Sequence, residues 1–236
     1  MMSGSMCDED GVLAAEAIAL EITLFDQDRC SRPDARSRTY RVLAGCVPIV
    51  LSAPHSVQQP RRCDGLEGAL HCSEPYTGPL AIQLHRATGA WAIYATRTAR
   101  RDPNHMPVST YKRPGLQVLV DRAAPRFILD LHGARMGRFA VAIGTSPALR
   151  AGRGQAVIDL LAARLAGALD GAVVVDPPAF QANGRGTVTA HCWAALGVPA
   201  VQLEISRTYR RPRQNPGAYA ALFAALQHFI AELACP

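Results

Sequence analysis

Short apolar runs alternate with helix-like patterns along most of this chain, the order expected of an α/β layer architecture. Candidate strands are 39–43, 47–53, 90–96, 127–131, 172–175 and 200–205. Most carry apolar residues on both alternating faces, as in inner strands covered on both sides. Candidate helices span 78–88, roughly 111–123, 155–169 and 216–233. In the third, Val157, Leu161, Leu165 and Leu169 recur every four residues and Gly171 supplies a stop. In the fourth, Asn215-Pro216 reads as an N-cap followed by proline at the first helical position. Leu222, Leu226, Phe229, Ile230 and Leu233 then form one stripe. The pattern predicts a three-layer α/β/α fold around a central, mostly parallel or mixed sheet. Residues 39–236 form one domain in this reading, and residues 1–38 an extension or edge element.

Composition narrows the class. Of 236 residues, 49% are hydrophobic and 19% charged, and the mean hydropathy is +0.04, values suited to a single globular core. No run of about 18 uninterrupted apolar residues occurs, and the acidic Met1–Asp10 stretch lacks the basic start of a secretory leader. Seven cysteines without a CxxC or framework spacing read as free thiols in a reducing compartment. The expectation is a cytoplasmic protein with no membrane partner.

The net charge of +6 is carried almost wholly by arginine, since Lys112 is the only lysine. The arginines scatter rather than forming the stripe of a nucleic-acid surface. Guanidinium groups grip carboxylates at two points, so the expected partner is a small anionic molecule and not a nucleic acid.

Candidate chemistry stands at the downstream ends of three strands. Ile49–Pro54 runs into His55, Phe127–Leu129 into Asp130-Leu131-His132-Gly133, and Val198–Leu203 into Glu204. Ligands of open α/β sheets sit outside the carboxyl ends of the strands, so two histidines and a glutamate there would build a metal or acid/base cluster. Glu204 interrupts an apolar run, and an uncompensated buried carboxylate is expensive. There is no GxSxG elbow, no HExxH and no phosphate-binding GxxxxGK[ST]. His71, His85 and His228 fall in a loop or in helical patterns and are assigned no chemistry.

Five ordered motifs carry a resemblance: Ser52-Ala53-Pro54-His55-Ser56, Glu74-Pro75-Tyr76-Thr77-Gly78, Asp102-Pro103-Asn104, Asp130-Leu131-His132-Gly133 and Val201-Gln202-Leu203-Glu204-Ile205. Over roughly residues 45–210 the chain resembles the N-formylglutamate amidohydrolase family, whose fold and zinc chemistry are those of the zinc carboxypeptidases. The resemblance implies one zinc ion held by His55, Glu74 and His132, with Glu204 as general base. Glu67 is the alternative carboxylate ligand. Such a set leaves a tetrahedral zinc one position for water, whose pKa the metal lowers to about 7, and other divalent ions also suit it.

Substrate recognition departs from the family pattern. Asn104 is followed by His105 where the family has Asn-Arg, and Val57 stands where glycine is common. Arg97 or Arg101 is then the candidate anchor for a substrate carboxylate, with Asn104 and His191 as further contacts. Cys63, Cys72 and Cys192 are read as structural. The implied activity is hydrolysis of the amide bond of a small N-acyl amino acid. The alternatives are a zinc carboxypeptidase or cell-wall peptide amidase, or a binding protein that kept the fold without catalysis.

Overall fold

Strands Tyr40–Leu43 (β1), Val47–Ala53 (β2), Ala90–Ala95 (β5), Phe127–Gly133 (β6), Val141–Thr145 (β7), Val173–Val175 (β8) and Ala200–Ile205 (β9) form one sheet in the order β1-β5-β2-β6-β9-β7-β8. They belong to a computed structural model that describes residues 6–26, 38–60, 70–71, 73–135, 138–145, 149–150 and 153–235. A two-residue pair, Gln59–Pro60 (β3) with Leu70–His71 (β4), lies apart from it. Strands β5, β2, β6 and β9 run parallel, β1 pairs antiparallel with β5, and β7 pairs antiparallel with β9.

The helices are Met6–Leu20 (α1), Thr77–Thr88 (α2), Gln117–Ala123 (α3), Arg153–Ala168 (α4), Val188–Leu196 (α5), Arg207–Arg210 (α6) and Pro216–Ala234 (α7). Alternation along β6 separates the two faces. Phe127 meets Phe229 of α7 ring to ring at 6.0 Å, while Asp130, of opposite parity, lies on the side of Tyr111 and of Cys192 in α5. The architecture is the expected three-layer α/β/α arrangement around a mixed sheet.

The anticipated helix over 111–123 is broken. Pro114 disfavours the α region for the residue before it, and Arg113 is extended at φ −132°, ψ 116°. A π-type turn covers Tyr111–Leu116, and regular helix begins only at Gln117. Helix α7 begins as expected, with Asn215 Oδ1 accepting from Ala218 N at 3.1 Å. By length and composition it is apolar enough to cross a membrane, with a mean hydropathy of 1.2 over an 18-residue window of its 19 residues. Its Leu222, Leu226, Phe229 and Ile230 are buried in the core.

Residues 1–38, expected as an extension or edge element, are helical over 6–26 in their described part. Helix α1 packs against α7 and α2, and a π-type turn, Glu21–Asp26, carries Phe25 fully into the core. A Cβ on Gly78 would come within 2.3 Å of the Phe25 ring. The cause is a set of small or apolar positions, Ala14, Ala17 and Phe25, that face the domain and are buried.

Candidate metal and amide-hydrolysis site

Parallel pairing sets the site's geometry before any side chain is considered. Ser52 of β2 is in register with Asp130 of β6, which is in register with Gln202 of β9. Two residues further on, His132 is opposite Glu204. Laterally paired residues share a face, as do residues two apart on a strand. The sheet therefore presents Ser52, Asp130, His132, Gln202 and Glu204 together at its carboxyl edge.

His55 follows Pro54, directly after β2, and its carbonyl accepts from Glu74 N at 2.9 Å. The Glu74 carbonyl accepts the Thr77 hydroxyl at 2.8 Å, which fixes this residue just ahead of α2. Between them, Tyr76 adopts φ 71°, a left-handed conformation that side chains other than glycine rarely take. Its N–H donates to Glu21 Oε2 at 2.9 Å. One carboxylate oxygen of Glu74 lies 3.0 Å from His55 Nδ1, and the other lies 3.0 Å from His132 Nδ1 and accepts from Gly133 N at 3.0 Å. The two imidazoles meet edge to face at 4.9 Å.

The far nitrogen of each ring is also held by a carboxylate. His55 Nε2 is 2.8 Å from Asp102 Oδ1, and His132 Nε2 is 3.1 Å from Asp130 Oδ2. Asp130 in turn accepts from Ser52 Oγ at 2.7 Å, and Ser52 is 2.9 Å from the Tyr111 hydroxyl. Tyr111 donates to Ile93 O and accepts from Ala53 N, which ties the row to the backbone. A carboxylate behind each histidine is the usual arrangement around metal sites, where it fixes the tautomer and aims the other nitrogen inward.

One ligand atom each from His55, Glu74 and His132 can be chosen so that all lie within 4.8 Å of one another. Around a tetrahedral zinc with bonds of about 2.0–2.1 Å, donor atoms stand ~3.3 Å apart, and the donor set of two imidazoles and a carboxylate suits that ion. Electrostatics points the same way. Burial disfavours a charged His55, but the Asp102 and Glu74 carboxylates override it and push its pKa up to about 10. Against the same burial, Glu74 and Asp130 raise His132, and the two imidazoles hold Glu74 well below the usual carboxylate range. Carboxylates crowded at one point favour positive charge between them, which protons or a divalent cation can supply.

Glu204 is buried and accepts from Gln202 Nε2 at 2.9 Å. Burial first, and then the nearby Glu74 and Asp130 against the opposing histidines, push its pKa up to about 7. Asn104 donates to Gln202 Oε1 at 3.2 Å and accepts from Val188 N at 2.8 Å. It thereby joins the loop after β5 to the start of α5 behind Glu204.

Arg97 lines a cavity of about 510 Å³ with Tyr40, Arg41 and Tyr94 at the β1 edge of the sheet, because the chain turns outward where β5 ends. Arg101 is exposed in the turn ahead of Asp102. The neighbours of His191 are Lys112 and Arg113, which together with burial push it down to about 4. Its Nε2 is buried without a hydrogen-bond partner among the described residues. Cys192 is buried and free. Glu67, Cys63 and Cys72 lie outside the described residues.

Asp102 and Asp130 were visible only as members of the motifs, with no role assigned. Arg210 gave no signal at all. Its guanidinium lies fully buried over Gly133, where a Cβ would come within 2.3 Å of it, and donates to Pro75 O and Ile205 O. Burial lowers it to about 10, with the Glu74 carboxylate supporting its charge. A cavity of about 180 Å³ beside it is lined by Glu74, Gly133, Arg135, Arg207 and Arg211, and so has Glu74 in common with the cluster.

No family model and no curated protein matches the sequence. The fold is shared with solved structures at low identity. A gene product of Agrobacterium tumefaciens, Atu2144, is 16% identical with a TM-score of 0.56, over 85% of this chain and 96% of that one. A bacteriophage poly-gamma-glutamate hydrolase is 15% identical with a TM-score of 0.52, over 85% and 92%. The succinylglutamate desuccinylase of Chromobacterium violaceum is 13% identical with a TM-score of 0.54, over 92% and 77%. These likenesses establish a shared α/β architecture for the chain.

Proposed function

We propose that this protein is a metal-dependent hydrolase of the amide bond in small, anionic N-acyl amino acids, with His55, Glu74 and His132 as ligands of a single zinc ion. One observation carries the reading: two buried imidazoles converge on one carboxylate, and each is held from behind by an aspartate. Within the fold, Glu204 stands in register beside His132. The names of two proteins that share the architecture, a poly-gamma-glutamate hydrolase and a succinylglutamate desuccinylase, agree with an acylated acidic substrate.

When bound, the metal supplies a Lewis acid and an acidified water. Asp102 and Asp130 keep Nε2 protonated on each imidazole, so that both Nδ1 lone pairs face the centre. Glu204, raised to about 7, is matched to accept a proton from the attacking water near neutral pH and to return it to the leaving nitrogen. Gln202 holds one Glu204 oxygen and leaves the other for that transfer. Arg210 places positive charge behind Glu74 without occupying the centre.

Metal content tests the reading. About one zinc per chain is expected, lost on chelation and in His55→Ala and His132→Ala. A metal-free protein whose stability is indifferent to both substitutions ends the proposal, and a non-catalytic binding protein becomes the better account.

A further inference from the structure

The cavity beside Glu74 is small and strongly basic. Arg135, Arg207, Arg210 and Arg211 line it, and Glu74 is its one carboxylate among the described residues. At about 180 Å³ it falls below the roughly 300 Å³ that begins to hold a whole small-molecule ligand, so it suits one end group. Arg210 is fixed by the Pro75 and Ile205 carbonyls. Arg211 is half-buried, and its Nε is buried without a hydrogen-bond partner among the described residues. A second cavity of about 410 Å³ adjoins the first. Arg135 and Arg207 line both, and the outer one adds Arg138, Ser206 and Thr208, with no carboxylate among its described lining residues. Sharing Arg135 and Arg207, the two cavities carry positive charge from beside Glu74 to the outer surface.

We propose that these cavities form one track for a substrate bearing more than one carboxylate. The inner hollow takes the carboxylate nearest the scissile amide, through Arg207 and Arg211. The outer hollow takes a carboxylate further along the same acyl or peptide chain, through Arg138. Guanidinium groups suit this task because each can hold a carboxylate at two points. The proposal rests on the amide-hydrolase reading for its substrate class, since the anionic groups of N-acyl amino acids and acidic peptides are carboxylates. It extends that reading from a single acyl amino acid to an acidic oligomer.

Titration calorimetry on the purified full chain, with chelator present so that nothing is hydrolysed, tests the track with two probes. N-acetylalanine offers one carboxylate and N-acetyl-diglutamate offers three. The longer probe should bind at least tenfold more tightly. Arg211→Gln should weaken both probes by about tenfold, the loss expected for a charged hydrogen-bonded contact. Arg138→Gln should weaken N-acetyl-diglutamate alone. Both positions reach solvent, and unchanged melting temperatures would show that the variants fold. Equal affinity for the two probes overturns the proposal, as does indifference of N-acetyl-diglutamate to both substitutions. Tighter binding of tripolyphosphate than of N-acetyl-diglutamate overturns the carboxylate assignment. Metal content of the same preparation before chelation separates the two readings. Bound zinc with arginine-indifferent probes ends the track alone, whereas arginine-dependent binding in a protein that never takes up metal supports the track and ends the hydrolase.

Discussion

Asp102 offers a clean test of whether the aspartates behind the histidines serve a metal. Its Oδ1 accepts from His55 Nε2 at 2.8 Å and from Asn104 N at 2.7 Å, while Oδ2 is buried with no partner among the described residues. In Asp102→Asn the amide oxygen can keep both hydrogen bonds, and the new NH2 falls where no partner existed before. Geometry is preserved and the charge is lost. A hydrogen bond to a charged group is worth about 1.5–3 kcal/mol and a neutral one about 0.5–1.5. The difference, about 1.4 kcal/mol, is tenfold in affinity. Asp102→Ala also frees the ring and leaves Asn104 N–H unpaired, so its loss should approach the hundredfold end of the range seen for such partners. Competition against a chromophoric zinc chelator gives the dissociation constants, and thermal melts of the metal-free forms report any general loss of stability. If both variants hold zinc within twofold of wild type, Asp102 does not support a metal ligand and the reading of His55 as one is refuted.

Other outcomes follow from single contacts. Glu204→Gln should keep its metal and lose about 10²–10⁴ in turnover, the usual worth of a general base; normal hydrolysis of any identified substrate by this variant would remove Glu204 from the mechanism. Gly133→Ala drives a methyl group into the buried Arg210 guanidinium and should cost about 1–3 kcal/mol, read as a lower melting temperature, whereas an unshifted melt would contradict the packing. Lys112, chiefly through burial, titrates at about 8 instead of its ordinary 10.5. Between those values the unfolded chain binds more protons, so stability should rise with pH across that window. Lys112→Met should flatten that part of the profile, and an identical slope in both proteins would show that the group is not held there.

Much of the sheet was legible because its strands are mainly apolar runs on both faces. Strands β2 and β9 have the predicted limits, and β5, β6 and β8 differ by a residue or two. Strand β7 escaped because Val141-Ala142-Ile143-Gly144 is short and half small residues. Its identity comes from pairing with β9 and β8, a long-range fact. Helix α5 escaped because Val188 and Thr189 are β-branched, whereas Thr187 caps it by accepting from Ala190 N. His55, Glu74, His132 and Glu204 were readable as strand-end residues and motif members, and the structure brings them together. The arginines were not. Arg97 and Arg101 follow from their place just upstream of Asn104, whereas Arg207 and Arg211, in the segment after β9, share a cavity lining with Glu74 only in the folded chain. Sequence distance ranks neighbours along one loop, but a parallel sheet makes neighbours of residues some seventy positions apart.

The left-handed Tyr76 has a consequence for where the working unit begins. Holding a non-glycine residue at φ 71° costs on the order of 1–3 kcal/mol and persists only where the surroundings enforce it. Part of that enforcement comes from Glu21, which accepts the Tyr76 N–H, and from Phe25 packed against Gly78. A chain trimmed to start at Thr39, where composition alone would draw the boundary, would still contain every proposed ligand. It would lack the brace behind the Glu74 loop. The amino-terminal segment is thus part of the instrument that aims the carboxylate, and a truncated protein that binds no metal would report a lost brace before it reported a wrong ligand.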